Sequence, residues 1–416
     1  MNNAGDEATE ARFYMTNRHS EVRNIASRAE LDNVYDMLGS VFPVGRDFFQ
    51  KRLDYDSTYD LSTTWIAEQD GNMAATIQVF PYVGRVGTAA MKIGGIGSVA
   101  TLPEYRGQGH SRQILQRLTE WMEQEEYDLS LLFAEIHSFY EKSGWNIVLE
   151  TMYELKDVTR FADVEATGID YDIVPFDPSY TEAVACLYEQ FNAGRTGTVI
   201  RPQSHWHNRL NWPKWDEAKC LLAKRNGKVV AYGLITAPEQ DGTVYVDEIC
   251  YRLGDEQALI PLFHTLVGQY SGVTRVLANV PEDHALTGSL LAWGAVKQTL
   301  PYMMWKIIRF QSLLGKLSDV FQHRLANSAI YAEQSLQIKW ECAGQEAYLH
   351  YAEGQVRIES APRRDENYFN ICLDQDEFMR LLLQGYDESV SAAQYSSVLE
   401  VLFPKQAFVF YLMDRF

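Results

Sequence analysis

The stretch from Ile93 to Trp145, IGGIGSVATLPEYRGQGHSRQILQRLTEWMEQEEYDLSLLFAEIHSFYEKSGW, constrains the fold more than any other part of the chain. It opens with an apolar, glycine-loosened strand, Ile93 to Leu102, that stops at Pro103. Ile114, Leu115, Leu118, Trp121 and Met122 then recur at helical spacing, which predicts a helix beginning near Ser111. Between the two stands Arg106-Gly107-Gln108-Gly109-His110-Ser111. A loop with two glycines that runs into a helix presents several unpaired backbone N–H groups at the positive end of the helix dipole, an arrangement suited to a phosphate or pyrophosphate.

Several glycine-rich loops hold phosphates, and spacing separates them. Neither Gly-x-Gly-x-x-Gly nor Gly-Lys-Ser/Thr occurs here, so a dinucleotide fingerprint and a nucleoside-triphosphate loop are both disfavoured. The pattern is Arg-x-x-Gly-x-Ser, preceded by Val99-Ala100-Thr101-Leu102-Pro103-Glu104-Tyr105 and followed downstream by Phe139-Tyr140-Glu141-Lys142-Ser143-Gly144-Trp145. Together these pieces resemble the GNAT superfamily of acyl-CoA N-acyltransferases. The family's Arg/Gln-x-x-Gly-x-Gly/Ala signature ends here on Ser111, a residue small enough for close approach.

A chain of 416 residues is too long for one core and, at ~100 to 200 residues per domain, predicts two to four domains. The net charge of −19 disfavours nucleic acid and anionic membrane surfaces and favours a cationic small molecule. The amino-terminal residues are polar and mixed in charge, unlike a signal peptide, and no apolar run approaches the ~20 residues of a membrane helix, so a soluble cytoplasmic protein is expected. Cys186, Cys220, Cys250, Cys342 and Cys372 are scattered and form no Cys-x-x-Cys pair; reduced thiols are expected, with no zinc site. His205 and His207 lack a nearby third ligand, so no metal is expected.

Residues 1–22 read as a flexible extension, followed by a helix, Glu30 to Val41, with Leu31, Val34, Tyr35 and Leu38 on one face. Asp70-Gly71 between alternating apolar residues predicts a hairpin joining Trp65–Glu68 to Met73–Phe80. Leu129–Ala134 is expected as a buried strand, and Ile147–Leu155 as the strand that closes this first unit, residues 23–158. The segment Cys220 to Ala231 repeats Thr64 to Ala75, with the same spacing from Ala223 to Gly227 as from Ala67 to Gly71. A second copy, residues 170–308, is therefore expected, closing with a strand near Tyr302–Ile307. Where the first copy has Arg106 to Gly109, the second has Gly254-Asp255-Glu256-Gln257, and carboxylates at a helix start repel an anion. Glu282-Asp283-His284-Ala285 stands where Tyr140 would, so the second copy is expected to be catalytically silent.

From residue 309 to 416 the pattern is a helix (Leu313 to Leu325), alternating strands Leu336–Cys342, Ala347–Tyr351, Gln355–Ser360 and Tyr368–Cys372, and a helix Asp376–Leu383. This piece resembles the sterol-carrier-protein fold. The fold class expected is α/β (α+β): two tandem GNAT folds with mixed central sheets and a carboxyl-terminal sterol-carrier-like domain. The chain ends apolar, Phe408-Val409-Phe410-Tyr411-Leu412-Met413-Asp414-Arg415-Phe416, which predicts a buried last strand.

That order over the whole chain is similar to the Eis (enhanced intracellular survival) family of acetyltransferases. The resemblance implies acetyl-CoA as donor, a primary amine of a cationic small molecule (aminoglycoside- or polyamine-like) as acceptor, direct transfer, and a homo-oligomer, typically a hexamer. It also implies Tyr140 as catalytic acid and the terminal carboxylate, here that of Phe416, as base. Pyrophosphate would sit on the N–H groups of Gly107, Gln108, Gly109, His110, Ser111 and Arg112, with Arg106 or Arg112 adding charge. Val99, Ala100 and Thr101 would supply a donor to the oxyanion, and Glu135 and Ile136 would line the pantetheine slot. The alternative is a non-catalytic sensor that binds acyl-CoA or lipid.

Overall fold

The computed structural model describes residues 20–159, 171–237, 240–364 and 367–416. Most of the expected amino-terminal extension lies outside these, but 20–22 do not belong to it: they open β1 (Ser20–Asn24), which pairs antiparallel with β2 (Thr64–Gln69). Between them run α1 (Arg28–Val41), capped by the Ser27 hydroxyl on the Glu30 N–H, and α2 (Arg46–Asp54). Asp70 and Gly71 both take positive φ, the two-residue turn that matches strand twist, and lead into β3 (Asn72–Val86) and β4 (Ala89–Thr101). Then come α3 (His110–Gln124), β5 (Leu129–Phe133), α4 (His137–Glu141) and β6 (Asn146–Ile147).

The next strand corrects the expected domain limits. β7 (Glu150–Leu155) does not close the first sheet; it joins a second sheet with β8 (Asp172–Pro175), β9 (Lys219–Arg225), β10 (Lys228–Thr236), β11 (Thr243–Tyr251), β12 (Arg275–Ala278) and β13 (Val296–Leu300). In return β14 (Met303–Ile307) crosses to the first sheet and lies between β5 and β6. The two copies thus exchange a strand, and cuts at 158 and 170 do not separate their sheets. Polar partners in the receiving sheets accompany the exchange. Glu154 of β7 meets Arg275 at 2.6 Å and Gln298 at 2.7 Å, both in the second half, while Lys306 of β14 donates to Thr119 Oγ1 at 3.2 Å and Ser143 O at 2.8 Å in the first. Either strand in its own sheet would lose those partners, which is costly for buried ions.

Strand orders are β1-β2-β3-β4-β5-β14-β6 and β13-β7-β12-β11-β10-β9-β8. In the first, α3 packs on one face against Ile77, Val79, Ile96, Leu132 and Trp145. The opposite face, with Phe80, Tyr82, Ile93 and Leu131, receives α1, α2 and the carboxyl-terminal segment. A third sheet, in the order β17-β16-β15-β18, is built from β15 (Leu336–Cys342), β16 (Gln345–Ala352), β17 (Gln355–Glu359) and β18 (Phe369–Leu373). Its expected leading helix is broken in two around Leu317. The apolar end is buried as expected, from Val409 to Met413, but not as a strand: it makes one bridge, Thr196 to Phe408, and a 3-10 turn at Leu412–Asp414. Among the described residues no helix is long and apolar enough to cross a membrane.

Candidate active site

The site begins with a fault in the β3–β4 ladder. Thr76 faces Ala100 and Gln78 faces Gly97, so Ser98 and Val99 together oppose one residue, and Ser98 takes φ +52°. Such a bulge bends its strand. β5 accompanies β4 in parallel only from Ile93 opposite Leu129 to Ile96 opposite Leu132 and departs at the bulge. Beyond it, β3 still covers one side of β4, since the Leu102 N–H donates to Ala74 O at 3.1 Å. Strand alternation turns the N–H groups of Val99 and Thr101 the other way, into the gap that β5 has left.

The loop after β4 closes this gap at the end where both parallel strands finish. Gly107 (φ +77°) and Gly109 (φ +87°) adopt left-handed conformations, and an added Cβ at either would meet no atom within 4 Å. Their conformation favours glycine, and the space beside them is open. Gly109 is the N-cap of α3 and no side chain caps that end, which leaves the first-turn N–H groups of His110, Ser111 and Arg112 facing outward. The side chains at this end face inward. The His110 ring meets Gln69 Oε1 at 2.9 Å and burial lowers its pKa, while Ser111 Oγ meets Thr101 Oγ1 at 2.6 Å and ties helix to strand. Arg106 donates to Thr101 O at 3.3 Å and Gln108 to Glu104 O at 3.1 Å, so both brace the loop. Arg112 is exposed, as are Glu135 and Ile136 beyond β5; Ile136 is 71% exposed.

Tyr140 enters from the α3 face. Its carbonyl accepts from Ser143 N at 2.9 Å and Trp145 N at 3.2 Å, and Gly144, at φ +90°, closes the turn. Trp145 Nε1 donates to Ser130 Oγ at 3.2 Å, and that hydroxyl donates to Gly94 O at 2.8 Å, a chain that fixes the turn to β4 and β5. Lys306 and Gln375, from distant parts of the chain, hold the same turn through Ser143 O and Gly144 O. Burial pushes the Tyr140 hydroxyl up to about 12, so it keeps its proton at neutral pH.

Phe416 arrives from the opposite face. Its ring stacks on Phe80 with centroids 5.1 Å apart and lies 5.5 Å from both Tyr82 and Phe133. It occupies the place of absent side chains: an added Cβ at Gly95 would stand 2.4 Å from the ring, and one at Gly97 3.0 Å. The sequence marked these glycines as loosening the strand; the seat they provide for Phe416 was not foreseen. Also unforeseen is the adjoining cavity of about 520 Å³, lined by Phe80 and Tyr82 and by Tyr59, Trp212, Arg52 and Asp56. The charges of Arg52 and Asp56 are matched within the wall. Arg52 lies 3.6 Å from the Trp212 ring centroid and 3.0 Å from Asp56, which also accepts from Thr58 and Asn208.

The second copy has a matching bulge, where Asp247 of β11 stands unpaired in the ladder opposite Leu234 and Ile235 of β10, without a usable loop. Asp255 is buried between Arg225 and Arg252, each 2.7 Å away, and Glu256 takes the Gly254 N–H at 2.9 Å. The turn that matches the one after Tyr140 is at Gly294 (φ +91°), where Ala295 N donates to Leu290 O at 2.9 Å. The residue in the place of Tyr140 is therefore the buried Leu290 and not one of Glu282 to Ala285 as expected; His284 caps the Leu286 N–H.

The comparisons agree with this geometry. A family model described as an acetyltransferase (GNAT) domain matches residues 21–148. Among solved structures, a conserved protein of unknown function from Enterococcus faecalis V583, a probable N-acyltransferase, superposes with TM-score 0.73 at 17% identity, covering 96% of this chain and all of that one. A GCN5-related N-acetyltransferase from Anabaena variabilis gives 0.68 at 15% identity over 96% of this chain and all of that one. Eis1 from Mycobacterium abscessus gives 0.65 at 15% identity over 95% of this chain and all of that one. No curated protein matches. At these identities the superpositions show a shared fold along nearly the whole chain. Residues 21–148 match the acetyltransferase (GNAT) domain, and the chain as a whole shares its α/β fold with these structures.

Proposed function

We propose that the chain transfers an acetyl group directly from acetyl-CoA to a primary amine. GNAT enzymes use acyl-CoA; the uncapped start of α3 and the glycines before it suit its pyrophosphate, and the exposed Ile136 suits its pantetheine arm. The observation that supports the reading best is the seat of Phe416, against β4 beside the bulge and against the cavity wall. On this reading the Phe416 α-carboxylate acts in the region where donor and acceptor would meet.

An amine of lysine-like pKa, ~10.4, arrives as ammonium, so its proton must leave before attack. The Phe416 carboxylate holds the cation and passes that proton to solvent. The freed amine attacks the thioester carbonyl, the C–N bond forms, and the oxyanion is met by the N–H groups of Val99 and Thr101. As the C–S bond breaks, Tyr140 donates a hydrogen bond to the thiolate, and the second proton that the nitrogen sheds leaves by way of the Phe416 carboxylate to solvent. Full proton transfer from a phenol at about 12 to a thiol of pKa ~8.5 is uphill, so the hydrogen bond is the larger contribution.

The overall charge of −19 favours a cation, as in an aminoglycoside or polyamine. The cavity, with the matched Arg52 and Asp56 and its aromatic walls, favours one charged end on an apolar body. Acetyl-CoA incubated with arylalkylamines, polyamines and aminoglycosides, with free thiol followed, is expected to give turnover and the highest kcat/KM with arylalkylamines. No thiol release with any amine, alongside tight acyl-CoA or lipid binding, would favour a sensor instead.

Two variants test the seat of Phe416. Gly95→Ala places a methyl against the ring and is expected to lower kcat by roughly tenfold or more, on the cost of ~1 Å misplacement, with acetyl-CoA affinity unchanged. One glycine added after Phe416 should do the same, and full activity would remove the carboxylate from the mechanism. A sterol-carrier-like third domain, a hexameric assembly and a cytoplasmic location belong to the same proposal, which analytical ultracentrifugation tests for the assembly.

A further inference from the structure

The active copy does not hold the terminal segment by itself. Arg201, with no exposed side-chain surface, donates from Nε to Asp414 Oδ1 at 2.9 Å and from an NH2 group to Asp414 Oδ2 at 2.7 Å. The same guanidinium reaches both oxygens of Glu248, one at 2.9 Å, and Tyr232 donates to Glu248 Oε1 at 2.5 Å. Glu248 stands opposite Leu234 at the bulge of the silent copy, the fault that in the first copy opens the gap beside β4. Around this triad four residues of the segment are tied: Tyr411 to Asn192 Oδ1 at 3.2 Å, the Leu412 carbonyl to Lys214, the Asp414 carbonyl to the Tyr82 hydroxyl at 3.1 Å, and Arg415 to Glu150. All these partners but Tyr82 belong to the second sheet or to the helices on it.

A buried ion triad adds little net stability over an apolar one of the same shape, yet it fixes a single register because each charge has one place to go. We propose that Arg201 and Glu248 of the silent copy are positioning residues that, by holding Asp414, set Phe416 in the active site of the other copy. The second copy is then a clamp for the segment that completes the first. This inference rests on the role of Phe416 argued above.

The buried Arg209 guanidinium also faces the Glu248 and Asp414 charges. Replacing the triad together, Arg201→Met/Glu248→Met/Asp414→Met, in an Arg209→Met background therefore leaves no unpaired charge of this cluster and is expected to keep the fold. In the full-length enzyme the clamp predicts kcat lower by roughly ten- to a hundredfold, acetyl-CoA Kd within twofold of the native value, and faster release of Phe416 by carboxypeptidase. Deleting Phe416 from the combined variant should cost nothing beyond what the deletion costs in the native chain, because both act through one residue. Asp414→Asn, nearly isosteric, carries the same test should the combined variant not fold. Native kcat in a folded variant, or losses that add to those of the deletion, overturns the clamp. Full activity after the Phe416 deletion alone overturns instead the role of Phe416.

Discussion

Tyr140→Phe should lower kcat by roughly ten- to a hundredfold and leave the dissociation constant of acetyl-CoA within twofold of native. The size follows from what the hydroxyl is asked to do. A hydrogen bond to a charged group is worth about 1.5–3 kcal/mol, and a leaving thiolate carries that charge only as the C–S bond breaks. The ring itself stays, so its edge contact with Phe139 and its place over the Trp145 cluster are kept and the fold is not at issue. Stopped-flow thiol release beside equilibrium titration of acetyl-CoA separates the two quantities, and equal turnover would remove Tyr140 from the reaction.

The same hydroxyl sets the pH profile. Held at about 12 by burial, it remains protonated over the working range, so kcat/KM should climb with pH as the amine loses its proton and show no descending limb from Tyr140 below about pH 11. For stability the sign is opposite. The unfolded chain releases this proton near the ordinary ~10, so the contribution of Tyr140 is fully present below that and is lost as pH rises through 12.

Gly109→Asp should weaken acetyl-CoA binding by about a hundredfold without unfolding the chain. An Asp at the N-cap accepts the N–H groups of the first turn and sets its charge against the pyrophosphate; losing charge-assisted bonds of about 2–3 kcal/mol accounts for the factor. No atom lies within 4 Å of the added Cβ, and although φ is +87°, Asp is among the residues that tolerate this region. The gain of a cap offsets that strain, so the thermal midpoint should hardly move. The substitution brings to the first copy the kind of carboxylate that Asp255 and Glu256 place in the second.

What was legible in the sequence was local. The Arg106 to Ser111 loop, the Asp70-Gly71 and Asn226-Gly227 turns and the Tyr140 turn are each set by residues a few positions apart, where glycine and helical spacing speak directly. The exchange of β7 and β14 was not legible, because an alternating apolar strand fits either of two similar sheets. The buried Glu150 and Glu154 and the part-buried Lys306 mark where each belongs, and their partners lie far away in the chain. The seat of Phe416 was hidden for the same reason. Gly95 and Gly97 read as weakness in a strand until the ring that fills them is placed. The cavity wall joins α2, β3 and the segment around Trp212, three pieces that no periodicity connects.

The central claim is that one of two similar copies binds the donor while the other has given up its loop. Titration calorimetry of the full chain with acetyl-CoA tests it most directly. About one molecule per chain is expected, and none at the same concentrations for Gly109→Asp. Two molecules per chain, or unchanged binding by Gly109→Asp, would contradict it.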